Sequence, residues 1–262
     1  MHAFKYHRPA SVKDAAALAK GEAKLLAGGQ TLVQTMKLRL ASPSDIVDLG
    51  TIKELGGIKS DGKTVTIGAM TRHAEVAASK TVKDAIPALA ALAEGIGDRQ
   101  VRNMGTIGGS LANNDPAACY PAAVLALGAT IHTNKRKIAA DDFFKGMYET
   151  ALADAELITS VSFPIPKKAA YMKFVQPASR FALVGVFVAQ GAGGVRVAVT
   201  GAAPSVFRAK PLEDALAKNF SADAAKAVKI DAAGLNSDLH GSPAYRAHLI
   251  SVMASRAVAA AG

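Results

Sequence analysis

The chain has 262 residues, half of them hydrophobic and a fifth charged, with a net charge of +10 and a single cysteine, Cys119. That length suits one large domain or two modest ones with a true core, and one thiol excludes a disulfide framework or a four-cysteine zinc or iron–sulfur site within the chain. The basic residues are spread evenly, with no run longer than Lys135 to Lys137 and no interleaved aromatics, so the charge reads as a solvated basic face or one complementary to an acidic partner, not a nucleic-acid footprint.

Phe4 to His7 reads as a short strand ended by Arg8-Pro9. Ser11 to Asp14 resembles a capping box that opens a helix over 12–20, and Gly21 closes it. Glu22 to Ala27 reads as a strand, Gly28-Gly29 as a turn, and Leu32, Val33, Met36 and Leu40 recur at helical spacing. With a strand at Ile46 to Leu49, the first fifty residues make a βαβ-type unit with a parallel sheet. Leu55 to Lys59 and Thr64 to Ile67 alternate around Ser60-Asp61-Gly62-Lys63, a hairpin signal. Helices follow over 71–79 and 82–94, the second interrupted by Pro87. Gly95 to Gly105 leads into Thr106 to Pro121, a stretch crowded with Gly, Asn, Asp and Pro around the cysteine.

Pro121 suits the first turn of a helix ending near Leu127-Gly128. A second hairpin is expected over 129–140, and Glu156 to Phe163 reads as a strand stopped by Pro164 and Pro166. Pro164 to Lys168 is the linker candidate. Beyond it, 171–175, 181–190 and 195–201 read as antiparallel strands, and 211–218, 222–230 and 243–261 as helices.

Gly57 to Thr64 matches the P-loop pattern letter for letter. The mechanism needs strand, loop and helix in that order, whereas Asp61-Gly62 reads as a hairpin turn, so the match is taken as coincidence. No Gly-x-Gly-x-x-Gly follows a strand, and no Gly-x-Ser-x-Gly occurs. The six histidines are scattered, so no metal site is expected. The opening residues have no apolar core, and the longest apolar run, Phe181 to Ala189, is too short to cross a bilayer. A cytoplasmic protein with no integral membrane segment is expected.

Two Gly-Gly turns remain. Ala27 to Thr31 follows a strand and opens a helix, a geometry that presents free N–H groups to an anion, with about 0.3–1 kcal/mol of help from the helix dipole. Thr106 to Ser110 repeats that chemistry, with two hydroxyls as extra donors. Two such turns suit the several oxygens of a pyrophosphate, although spacing alone does not bring them together.

At these turns the sequence resembles a known family. LLAGGQTLVQTMKLRL and IGDRQVRNMGTIGGSLANNDPAACYPAAVLALGA are similar to the FAD-binding medium subunit of molybdenum-containing hydroxylases, the carbon monoxide dehydrogenase and xanthine dehydrogenase family. Tyr6 to Pro9, Glu156-Leu-Ile, Gly201 to Pro204, Arg208-Ala209, Tyr245-Arg246 and Arg256-Ala257 extend the resemblance over nearly the whole chain.

The resemblance implies an α+β protein. A vanillyl-alcohol-oxidase/p-cresol-methylhydroxylase-type FAD-binding domain over 1–168 would have α/β subdomains at about 1–53 and 54–168. A C-terminal domain over 169–262 would hold a small antiparallel sheet and helices. It implies that Leu26, Ala27, Gly28, Gly29, Gln30, Thr31 and Leu32, with Thr106, Ile107, Gly108, Gly109 and Ser110, wrap the FAD pyrophosphate. Ile96 would lie against the cofactor, and Asn114 and Asp115 beside it. Leu157 would be near the adenine end, with Lys173 and Phe181 near the flavin.

Many relatives carry an aspartate where this chain has Cys119 and a tyrosine where it has Phe181, which puts flavin tuning in question. The implied activity is electron transfer in an oxidoreductase complex, with no catalytic acid or base here. The molybdenum cofactor would reside in a large partner subunit and [2Fe-2S] clusters in a small one, as a dimer of heterotrimers. The rival expectation is a flavin-free assembly module of the same fold.

Overall fold

Strand β1 (Lys5–His7), helix α1 (Val12–Leu18), β2 (Lys24–Leu26), α2 (Leu32–Lys37) and β3 (Asp45–Asp48) form the first unit of the computed structural model, which describes residues 1–261. β3 lies between β1 and β2 and is parallel to both. Parallel neighbours need crossovers, and α1 and α2 supply them. The Ser11 hydroxyl caps α1 by accepting the Asp14 N–H. Ala15, Val47, Leu49, Ile52, Leu55 and Leu157 form the core beneath this sheet.

After a 3-10 turn at Lys53–Leu55, β4 (Ile58–Ser60) and β5 (Thr64–Gly68) form the expected hairpin. Asp61 Oδ1 accepts the N–H groups of Lys63 and Thr64. The P-loop-like pattern is thus strand–turn–strand, with these turn donors committed to a local carboxylate.

Six helices follow: α3 (His73–Ala78), α4 (Lys80–Ala85), α5 (Pro87–Glu94), α6 (Arg99–Met104), α7 (Ile107–Asn113) and α8 (Tyr120–Ala126). Pro87 starts α5 as its first residue and separates it from α4, because proline fits a first turn but not an interior. Then come β6 (Thr130–Thr133), β7 (Lys137–Ala139), α9 (Ala140–Phe143), β8 (Phe144–Gly146), β9 (Glu149–Thr150) and β10 (Ile158–Pro164). The five-stranded sheet runs β4-β5-β10-β6-β7 and is antiparallel throughout. Every residue of α8 is buried, which explains its alanines: small side chains let a helix sit inside the protein.

The last sheet, β11 (Lys168–Val175), β12 (Ala182–Gly191), β13 (Gly194–Thr200) and β14 (Phe207–Arg208), is antiparallel in that order. Helices α10 (Lys210–Lys218), α11 (Ala222–Ala227) and α12 (Pro243–Ala260) complete the chain. Both faces of β12 are covered. Val184, Val186 and Val188 belong to the core under α12, while Phe187 and Ala189 join the core built around α5 and α8. The period-2 alternation of β11 therefore turns Tyr171 and Lys173 toward the middle of the protein and Met172 and Phe174 toward α12. The residues between β10 and β11 are pinned at both ends, Ile165 N–H to the Lys63 carbonyl and Lys167 N–H to the Gln190 carbonyl.

Candidate functional site

The two glycine turns meet. A Cβ built on Gly109 would lie 3.3 Å from the Ala27 Cβ, and one built on Gly28 would strike the Met104 carbonyl and lie 2.7 Å from the Gly105 Cα. Glycine at these positions lets two backbones touch where any side chain would hold them apart. The residues between α6 and α7 thus form a floor against the turn between β2 and α2.

The two turns differ in what they offer. Among the described residues, the N–H groups of Gly28, Gly29, Gln30, Thr31 and Leu32 find no acceptor. Backbone donors are satisfied almost everywhere in folded proteins, so a row of five facing no acceptor is suited to a polyanion. In the second turn the donors are already committed. Ile107 N–H goes to the Thr71 carbonyl, Gly108 N–H to Ala69, Gly109 N–H to the Thr106 hydroxyl and Ser110 N–H to the Thr106 carbonyl.

This corrects the expectation that Thr106 to Ser110 repeats the chemistry of the first turn. The reason is that these residues are a helix N-terminus, with Thr106 as N-cap and Ile107 and Leu111 buried beneath. What this side contributes is close approach at Gly109 and the Ser110 hydroxyl, which has no partner among the described residues.

A chain of contacts links the turns to the last sheet. An added Cβ on Gly105 would lie 2.5 Å from His73 Nε2, and the His73 ring packs 5.3 Å from the Tyr120 ring. His73 is buried, with Nδ1 unpartnered among the described residues. Burial, aided by the Arg102 charge, lowers its pKa to about 4, so the ring is neutral at physiological pH. Next to Tyr120, the Cys119 sulfur lies 3.6 Å from Lys173 Nζ, which donates to the Gly95 carbonyl at 2.6 Å. Tyr171, two residues before Lys173 on the same strand face, buries its hydroxyl beside Cys119 without a well-formed hydrogen bond. Burial, then the neighbouring thiol, raises its pKa. Ile96 packs partly buried against the central core, and its carbonyl and that of Gly97 accept from Arg102.

The remaining candidates lie in other settings. Leu157 is buried in the core of the first unit and pairs its backbone in both directions with Asn134. The adjacent Glu156 carboxylate accepts from Arg136, Thr133 and the Ala153 N–H. The Arg136 guanidinium, above all, holds its pKa down to about 2. Asn114, in the left-handed region at φ 43°, donates its amide to the Gly146 and Glu149 carbonyls and so pins the β8–β9 hairpin. Its side-chain donors are occupied by structure. Asp115 accepts the Ala117 N–H and, at 3.3 Å, the Tyr148 hydroxyl. Phe181 is 54% exposed at the β11–β12 hairpin.

Three participants escaped the reading of the sequence: the Met104–Gly105 backbone, His73 and Tyr171. Tyr171 alone carried a usable signal, its two-residue offset from Lys173. Among the described residues, no group of three or more His, Cys, Asp or Glu could hold a metal ion, and no helix is long and apolar enough to cross a membrane.

A family described as the FAD binding domain in molybdopterin dehydrogenase matches residues 2–166. The nicotine 6-hydroxylase medium subunit of Paenarthrobacter nicotinovorans is 36% identical, over 99% of this chain and 98% of that protein. The carbon monoxide dehydrogenase medium chain of Hydrogenophaga pseudoflava is also 36% identical, over 98% and 96%. Among solved structures, carbon monoxide dehydrogenase from Hydrogenophaga pseudoflava superposes with a TM-score of 0.88 at 36% identity, over 98% of this chain and 96% of that one. Quinoline 2-oxidoreductase from Pseudomonas putida 86 superposes with a TM-score of 0.89 at 30% identity, over 99% and 97%.

Proposed function

This chain belongs to the family of FAD-binding domains of molybdopterin dehydrogenases, and from that premise we propose that it is the electron-transferring medium subunit of a heteromeric molybdenum hydroxylase. FAD is its cofactor. The donor set fits that group: five backbone N–H groups without acceptors among the described residues stand at a turn in contact with a second, hydroxyl-bearing turn. The contact of Gly109 with Ala27 is the observation that carries the reading.

When bound, the flavin supplies reversible acceptance and release of electrons; the chain's work is to hold and orient it. The N–H groups of Gly28 to Leu32 and the hydroxyls of Thr31 and Ser110 take the pyrophosphate. Ala27 and Gly109 set the width between the turns, backed by Leu26, Ile107 and Gly108, and Ile96 offers apolar surface beyond them. Leu157 supports the adenine side from within the core, while Asn114 pins the β8–β9 hairpin and Asp115 holds the loop that follows Asn114 in shape. Lys173, fixed by the Gly95 carbonyl beside Cys119, places a cation on the flavin side, which favours reduced, anionic forms. Phe181 shields that side from the β11–β12 hairpin. The proposed domain boundary follows residue 168.

The two relatives described above carry medium-subunit or medium-chain names, which supports a large and a small partner subunit. In this reading the large one would hold the molybdenum cofactor and the small one the [2Fe-2S] clusters, as a dimer of heterotrimers in the cytoplasm. Electrons would pass from the clusters to this subunit and on to an external acceptor. The test is purification of the complex. One FAD per copy of this chain, reduced on adding a substrate of the large subunit, supports the proposal. A complex whose clusters are reduced while the flavin stays oxidised overturns the electron-transfer role.

A further inference from the structure

Cys119 and Lys173, 54 residues apart in sequence, face each other where α8 begins and packs against β12 and β13. Lys173 Nζ lies 3.6 Å from the Cys119 sulfur and is held there by its bond to the Gly95 carbonyl. Among the described residues no carboxylate pairs with this ammonium. The sulfur side is fixed as well. The Thr200 hydroxyl lies within hydrogen-bond distance of the Pro116 and Ala118 carbonyls and so secures the backbone leading to Cys119. Beside the same sulfur, Tyr171 buries a hydroxyl that has no hydrogen-bond partner among the described residues. Gly185, on the neighbouring strand, makes room for that hydroxyl, which any side chain there would strike. Buried hydroxyls are hydrogen-bonded almost everywhere in folded proteins. A thiol is a weak acceptor, whereas an oxygen carried on that sulfur would be a strong one.

We propose that Cys119 and Lys173 are an oxidative modification site, at which hydrogen peroxide joins the two side chains through a sulfur–nitrogen bond. The inference rests on the function proposed above, because a reduced flavin that meets dioxygen releases peroxide on the side where Lys173 stands. In the first step the Cys119 sulfur attacks the peroxide. The O–O bond breaks, an S–O bond forms and water leaves, so the sulfur is oxidised to a sulfenic acid and the peroxide is reduced. The Tyr171 hydroxyl donates to the new oxygen. In the second step Lys173, its extra proton given to solvent, attacks the sulfur with its nitrogen lone pair. The S–N bond forms, the S–O bond breaks, and a second water carries off one amine hydrogen. Sulfenic acids ordinarily condense with a second thiol or a backbone nitrogen. This chain has no other cysteine, and the amine at 3.6 Å is the nucleophile at hand. The linked nitrogen no longer carries the ammonium charge. Oxidation therefore removes the cation that favours reduced flavin, and a thiol reductant restores it.

The FAD-loaded full chain, treated with hydrogen peroxide and digested without reductant, tests this. Mass spectrometry should find the Cys119 and Lys173 peptides joined, lighter than their sum by two hydrogens, and separated again by dithiothreitol. The flavin midpoint potential should fall with cross-linking and recover with dithiothreitol. Tyr171→Phe should cross-link roughly fivefold more slowly, the rate equivalent of one ordinary hydrogen bond. Lys173→Arg should form no link and carry Cys119 on to sulfinic acid, which dithiothreitol does not reverse. Peptides that stay separate in a chain that holds FAD, sulfinic acid formed equally in the native chain and Lys173→Arg, or an unmoved potential in the cross-linked protein overturns this inference alone. A chain that holds no FAD yet cross-links on added peroxide overturns the proposed function and leaves the cross-link standing.

Discussion

Gly109 and Ala27, 82 residues apart in sequence, are in contact: a Cβ added to Gly109 would sit 3.3 Å from the Ala27 Cβ. That contact brings the strand–helix turn of the first unit against a helix N-terminus of the second. It makes one site of two motifs that are each commonplace alone. The division of labour is unequal, with free donors on one side and close approach on the other.

The first prediction concerns the floor of the site. Gly28→Ala puts a methyl into the Met104 carbonyl and the Gly105 Cα, and backbone cannot give way as a flexible side chain can. The expected cost is about 1–3 kcal/mol of stability, with loss of retained FAD. Gly193→Ala, where nothing lies within 4 Å of the added Cβ, should change neither. Thermal unfolding and flavin content measured side by side decide it.

Lys173 should act through charge. Removing the cation in Lys173→Met should lower the flavin midpoint potential by tens of millivolts, from an interaction on the order of 1 kcal/mol; Lys173→Arg should largely preserve it. Spectroelectrochemical titration makes the comparison, and identical potentials for all three proteins contradict the role.

The buried His73 should make the protein sensitive to acid. The folded state takes up this proton only near pH 4, against 6.5 as the ordinary value. Between those values the unfolded chain binds more protons, so stability falls as pH drops from 6.5 toward 4, by on the order of 3 kcal/mol. In His73→Phe, which keeps a ring against Tyr120, that part of the slope should vanish. Urea unfolding across this pH range measures it.

Asn114 should prove structural. Asn114→Ala removes two donors to the β8–β9 hairpin and leaves an alanine at positive φ. About 2–4 kcal/mol of stability should be lost. Asn114→Gly, which accepts the backbone angle, should lose less. Hydrogen exchange should quicken at Gly146 to Glu149 in both.

Much of this was legible in advance because local chemistry and tertiary structure agree. Ser11 caps the helix it precedes, Pro87 divides two helices, and Asp61-Gly62 turns a hairpin. Parallel pairing followed from three short strands separated by helices. The illegible part lies at the site. Arg99 to Met104 and Ile107 to Asn113 are helices, although their glycines and asparagines are poor helix formers. Tertiary bonds from His73 N–H to the Gly105 carbonyl and from Ile107 N–H to the Thr71 carbonyl, with burial of Ile107 and Leu111, outweigh propensity there. For the same reason a stretch read as a donor-rich turn has its donors already bonded. The α2 helix also stops at Lys37, short of the periodic Leu40, and that early end turns Leu38 and Leu40 outward.

The central claim is that the two turns together hold one FAD. The most direct measurement is calorimetric titration of the flavin-stripped chain with FAD, beside the variants Gly28→Ala and Gly109→Val. The expected result is one site per chain in the native protein, with affinity reduced at least tenfold in each variant while the fold persists by circular dichroism. Native affinity in both variants would contradict the clamp, and absence of FAD binding by the correctly folded native chain would contradict the account as a whole.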